Sequence, residues 1–392
     1  MNTTTSPIPS ARLLKLAPVL ALAAALAGCG GNGFLGGLFG SSAPKHVPAE
    51  LAPNAALISV RQAWTARISD VSFPLSTAIS GSTVVVAASD GTVAALDGRT
   101  GRDLWRASVG APIMAGVGSD GRLAAVVTGN NEVVALDGGK EIWRHKLASQ
   151  AYTAPYVGGG RVFILAADRS VTALDAQTGR RLWQQQRPGE PLVLRQSGVM
   201  LAVGDTLVVG LSGRLVGMNP VSGAVRWEAP IASPRGTNDV ERLVDLVGRV
   251  SRLGDVVCVR AFQSNVGCVN ASRGALLWTK PASGSEGVHG DERFVFGTES
   301  DGKVMAWRRA DGERAWMSDR LQYRLLSAPL SVGRSVVIGD NTGLVHVLSR
   351  EDGSPLTRLT TDGTAIVGAP VLAGDTLVVV TKGGGVFGFS PE

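Results

Sequence analysis

The stretch TVVVAASDGTVAALDGRTGRDLW, Thr83 to Trp105, decides the fold. Valines 84 to 86 lead through Asp90-Gly91 into a second β-rich run ending at Asp97, then to a Thr100-Gly101 turn and Trp105. An Asp-Gly pair between two β-rich runs specifies a tight hairpin, because the turn needs positive φ and glycine supplies it without steric cost. The Asp97 position recurs as Asp137, Asp175, Asn219, Asn270, Arg308, Ser349 and Ser390, which makes eight units. They are spaced by roughly 40 residues, the range of a propeller blade, with longer gaps before Asn219 and Asn270.

A second marker runs in step. Gly-x-x-x-Trp appears at Gly101/Trp105, Gly139/Trp143, Gly179/Trp183, Gly223/Trp227, Gly274/Trp278 and Gly312/Trp316, while Gly353 is followed by Thr357 where a Trp is due. The eighth unit reaches Phe389-Ser390 without a fourth strand, and Trp64 stands alone ahead of the first complete unit. The segment around Trp64 therefore supplies the missing strand. A ring closed in this way leaves no long exposed edge. The expected fold is all-β: an eight-bladed β-propeller of four-stranded blades, its N-terminal strand joining the C-terminal blade. No helical period competes over any long window. Trp64, Trp105, Trp143, Trp183, Trp227, Trp278 and Trp316 are expected to pack between adjacent blades, each burying on the order of 200 Å².

The start of the chain reads as a processing signal: Arg12 and Lys15, an apolar run from Leu16 to Leu26, then Leu26-Ala27-Gly28-Cys29. The run is too short to span a bilayer as a stable helix. Its last four residues resemble the bacterial lipobox, whose cysteine is acylated and becomes the first residue of the mature chain. That implies a signal peptide over 1–28, lipidation of Cys29, a flexible Gly-rich tether over 29–46 and a propeller over 47–392. Gly30, rather than Asp, follows the cysteine, which in lipoproteins gives the outer membrane as the address.

With 44% hydrophobic and 18% charged residues the chain carries enough apolar content for a large core, which excludes disorder. The net charge of +6 comes from scattered basic residues with no interleaved tyrosines, so no nucleic-acid footprint is present.

The Ala-Leu-Asp, Thr-Gly, Trp repeat resembles the blade of the pyrroloquinoline quinone (PQQ) propellers, which include dehydrogenases and non-enzymatic relatives. Lipobox and eight blades together resemble the BamB family, propeller lipoproteins of the machinery that assembles outer-membrane β-barrels. The resemblance implies a non-enzymatic scaffold with no cofactor, lipid-anchored at the outer membrane and facing the periplasm. Its partners would be the periplasmic domains of BamA and, indirectly, the other lipoproteins of the machinery, with direct holding of unfolded barrel strands as a further contribution. The rival is a PQQ- and calcium-dependent periplasmic dehydrogenase. Such enzymes stack the quinone on a disulfide of adjacent cysteines, and no two cysteines are adjacent here.

Two departures from regular spacing bear on binding. The unit ending at Asn219 is lengthened around Pro188 to Gly198, and the next between Ile231 and Val250. If both are connections between consecutive blades, they emerge on one face, where grouped insertions mark a binding surface. Leu192 and Leu194 beside Arg195 make a hot-spot composition, apolar anchors next to a directional cation. The resemblance carries the contact with BamA to Leu192, Leu194, Arg195 and Asp245. The family's second aspartate is Val247 here, which alters the acidic half of that contact. From the residues alone, these positions read as a solvated loop and a half-buried strand.

The remaining constellations are structural. His46, His145, His289 and His346 fall on separate units without metal-ligand spacing. Asp90, Asp301 and Asp311 suit turns. Cys258 and Cys268 flank a hairpin around Gln263-Ser264-Asn265 and are either a cross-strand disulfide or two buried thiols, because a one-residue slip would send them to opposite faces.

Overall fold

The computed structural model describes residues 46–188 and 192–392; Cys29, the signal segment and the stretch up to residue 45 lie outside the described residues. The described residues form 32 strands in eight four-stranded antiparallel sheets. Blade 1 spans Ala78–Ser108, blade 2 Ile113–Lys146, blade 3 Tyr156–Gln186, blade 4 Met200–Pro230, blade 5 Leu246–Pro281, blade 6 His289–Ser318 and blade 7 Leu330–Thr360. Blade 8 combines Ile366–Pro391 with Val60–Arg67, whose Trp64 pairs with Gly388. The eight-bladed ring and its closure match the expectation from the repeat.

Position within the blade explains the residue pattern. The two middle strands of blade 1, Thr83–Ala87 and Thr92–Asp97, are buried almost throughout, being covered by neighbouring blades on both faces, so they read as continuous apolar runs. The outer strand, Asp103–Ser108, alternates exposed and half-buried because one face meets solvent.

The Trp-Gly marker turns out to be an interlock between blades. The indole of Trp143 in blade 2 lies on the turn glycine of blade 3, and its Nε1 donates to Ala176 O at 2.8 Å. Trp64, Trp183, Trp278 and Trp316 lie likewise on Gly101, Gly223, Gly312 and Gly353 of the next blade, each donating Nε1 to a carbonyl there, while Trp105 and Trp227 lie on Gly139 and Gly274. Across the sheet each Trp faces a small residue, such as Ala95, Ala135, Ala173 or Gly388, so the ring can lie flat. Thr357 breaks the pattern for a reason visible in the ring. Blade 8 takes its outer strand from the other end of the chain and so has no Thr-Gly turn for blade 7 to cover; there Val347 faces Thr357.

Gly179 sits at φ +67, and a Cβ there would lie 2.6 Å from the Trp143 ring. Gly179→Val is therefore expected to cost on the order of 3 kcal/mol, from a β-branched residue in left-handed backbone plus overpacking. Urea unfolding checks this; a loss under about 1 kcal/mol would show that the interlock tolerates a side chain.

Cys258 and Cys268 sit directly opposite each other on the middle strands of blade 5, and their sulfurs are bonded. Residues 48–59, which the sequence places in the propeller without assigning a strand, run along blades 6 and 7. Ala49 N donates to Gln322 O (2.9 Å), Leu57 N to Leu356 O (2.7 Å) and Asn54 Nδ2 to Arg358 O (3.1 Å). This segment lacks apolar alternation, so only its tertiary partners reveal its place.

Candidate functional site

Both long connections join the outer strand of one blade to the inner strand of the next, blade 3 to 4 and blade 4 to 5. Because strands alternate in direction, all such connections share one face with the hairpins between second and third strands. The second insertion ends at Asp245: the inner strand of blade 5 starts at Leu246, so the expected boundary at Val250 falls inside a strand.

Arg169 organises this face. Its Nη1 donates to Asp245 Oδ1 (3.1 Å) and its Nη2 to Leu192 O (3.1 Å), while Leu194 N donates to Asp245 Oδ2 (3.0 Å). The side chains of Arg169 and Asp245 are only 8% and 17% exposed, which strengthens a charge-assisted bond. Asp245 thus spends both oxygens inside the site, pinning the loop that carries Leu192 and Leu194. Leu192 is exposed, and Leu194 lines a small cleft with Tyr152, Arg169 and Asp245. Arg195 is exposed; its guanidinium lies 6.0 Å from the Tyr152 ring centroid and 3.9 Å from Met114 Sδ. The four residues singled out in the sequence are therefore brought to one place, with Asp245 beneath the others. Val247 is buried in the inner strand of blade 5.

In the second connection, Asn238 Oδ1 accepts from Glu241 N (2.9 Å) and Glu241 Oε2 accepts from Thr237 N (2.9 Å), which holds the Glu241 carboxyl below its usual range. The turn lifts Val240 into solvent.

Sequence reasoning missed Arg169, although a signal existed. It occupies the hairpin position filled by Gly91, Gly213, Gly302, Gly343 and Gly384 in other blades, and adopts their left-handed backbone at φ +64. A bulky residue in that conformation costs energy and persists only when its surroundings demand it.

The same loop then enters the central channel, a cavity of about 1270 Å³. Gln196 Nε2 donates to Ser285 O (2.7 Å) and Glu286 Oε1 (3.3 Å) at the edge of blade 6, and the Ser197 hydroxyl lies 3.4 Å from that of Ser76 near blade 1. Burial lifts the Glu286 carboxyl to about 7, with the Arg260 charge opposing the rise. Among the described residues no three His, Cys, Asp or Glu side chains are placed to hold a metal ion. The bonded cysteines are ten positions apart and fully buried, unlike an adjacent pair offered to a quinone.

The sequence profile described as "Outer membrane protein assembly factor BamB" matches residues 62–318. Relatives of the same description include a protein of Burkholderia pseudomallei, 39% identical with 89% of this chain and 92% of the relative covered. Another, from Bordetella pertussis, is 37% identical with 95% and 96% covered. The crystal structure of BamB from Moraxella catarrhalis superposes with a TM-score of 0.78 at 23% identity, covering 84% of this chain and 99% of that one. A quinohemoprotein alcohol dehydrogenase of Comamonas testosteroni reaches a TM-score of 0.66 at 16% identity, covering 88% and 79%, a likeness of fold alone. With a profile running through most of the ring and relatives matched over nearly their whole length, the chain belongs to the family of the outer membrane protein assembly factor BamB.

Proposed function

We propose that this chain is a non-catalytic scaffold for outer-membrane protein assembly, docking on the periplasmic domains of BamA through Leu192, Leu194 and Arg195. Acylated Cys29 anchors it at the outer membrane, facing the periplasm. The observation that carries the reading is the pinned loop. Asp245 and Arg169 fix the backbone around Leu192 and Leu194, so exposed Leu192, cleft-lining Leu194 and the adjoining exposed Arg195 are presented on an ordered loop before a partner arrives, which lowers the ordering cost of binding. The name shared by the relatives supports the process, and the neighbouring connection with exposed Val240 widens the same face.

The test is Leu194→Asp with Arg195→Glu, followed by recovery of BamA from detergent-solubilised membranes. Loss of two hot-spot contacts at about 2 kcal/mol each predicts recovery below a tenth of wild type. Undiminished recovery defeats the reading. Asp245→Ala separates positioning from contact: partner affinity should fall about tenfold, and the Leu194 amide, stripped of its acceptor, should exchange with solvent much faster. Weakened binding with unchanged exchange at Leu194 would make Asp245 a direct contact instead.

A further inference from the structure

We propose that the central channel binds a small amphiphilic carboxylate, its acid group on Arg249 and its apolar body along the inner strands. Arg249 leaves the inner strand of blade 5 and crosses to blade 8, where Nη1 donates to Pro370 O at 2.5 Å. That bond uses one of five N–H donors. Among the described residues no carboxylate is paired with it, and burial draws its pKa down to about 10. Arg249 is half-buried in the channel wall, and a partly desolvated charge without a counter-charge is costly; such groups gather at functional sites.

The two carboxylates of the channel wall are committed elsewhere: Glu299 to Arg260 at 3.0 Å, Glu286 to Gln196. His289 adds a second donor. Its Nδ1 accepts from Ser331 N (3.0 Å), and burial together with the charges of Arg249 and Arg309 holds its pKa down to about 3. The ring is therefore neutral at neutral pH, with its proton on Nε2, among the residues lining the channel. Close strand packing fixes the guanidinium's origin, since a Cβ on Gly287 would lie 2.1 Å from Arg249 N. A planar guanidinium fork matches a carboxylate in two parallel bonds. Met200, Leu325, Val371 and Leu372, at least partly exposed in the same wall, favour a ligand with an apolar body over a bare inorganic anion.

The experiment is calorimetric titration of the full chain in detergent with 3-phenylpropionate, its neutral amide and inorganic phosphate. The acid should bind saturably, with the amide and phosphate each at least tenfold weaker. Arg249→Met should weaken the acid at least tenfold while the ligand-free protein melts at an unchanged or higher temperature. If that variant does not fold, Arg249→Lys, which keeps the charge but not the fork, should bind the acid several-fold more weakly. No saturable binding, binding of phosphate or amide as tight as the acid, or undiminished affinity in the folded variant overturns the proposal.

Discussion

Asp340→Ala is expected to lower the stability of the ring by about 3–5 kcal/mol at pH 7, the range for removing one partner of a buried ion pair. Asp340 is 1% exposed and is a hub. Its Oδ2 accepts from Arg324 Nε (2.8 Å) and lies 3.0 Å from His346 Nε2, while its Oδ1 accepts from Thr342 N (2.8 Å), Thr342 Oγ1 (2.8 Å) and Leu344 N (3.0 Å). Arg324 in turn donates to Ala49 O at 3.2 Å, so the carboxylate ties a blade 7 hairpin, the connection from blade 6 and the segment leading to the first strand. Removing it leaves the buried Arg324 guanidinium without a counter-charge among the described residues, held only by Ala49 O and Thr342 Oγ1. Burial alone would raise this carboxyl's pKa, but the bonds from His346, the Leu344 amide, Arg324 and Thr342 outweigh it and hold the group well below 3.8. A depressed pKa contributes stability that is complete above the unfolded value and is lost as pH falls through the folded one. The gap between wild type and Asp340→Asn should therefore narrow below about pH 4, near the unfolded pKa of an aspartate. Urea midpoints from pH 7 to pH 3 measure it; parallel curves, or a gap under 1 kcal/mol at pH 7, would contradict the hub.

Glu286→Gln is expected to do the reverse and stabilise the protein, by about 3 kcal/mol at pH 8. Burial lifts the Glu286 carboxyl from 4.5 to about 7, so the folded state holds a proton that the unfolded chain has released. Wild-type stability then falls as pH rises from 4.5 to 7 and stays low above that. Glutamine keeps an oxygen for Gln196 Nε2 and carries no charge to desolvate. The two proteins should be equally stable near pH 4.5 and diverge through neutrality. A variant no more stable than wild type at pH 8 would show that Glu286 is ionised at no cost.

The repeat made the ring legible because each blade is a local event. Val84 to Val86, Asp90-Gly91 and Leu96-Asp97 fix a hairpin within a short stretch, and eight copies fix the rest. The closing strand was legible through Trp64, the one copy of the marker detached from its blade. The loop proposed to dock on a partner was visible as a break in spacing, and its composition as anchors beside a cation. Its support was not. Arg169 lies 76 positions before Asp245 and 23 before Leu192, and only the ring brings the hairpin of blade 3 against the entrance to blade 5. Arg249 reads in sequence as an ordinary strand residue, yet its partner is Pro370, 121 positions away across the channel.

The sequence by itself thus determined the number of blades and the way the ring closes, because hairpin turns and Trp-Gly spacing are short-range consequences of sterics and burial, whereas the register that sets Cys258 against Cys268 came from the structure. Tertiary structure alone decided which charges are buried, what satisfies them and which loop they hold still. Those outcomes depend on contacts between blades distant in sequence, and no local pattern encodes the dielectric or the neighbours a side chain meets once the ring has closed.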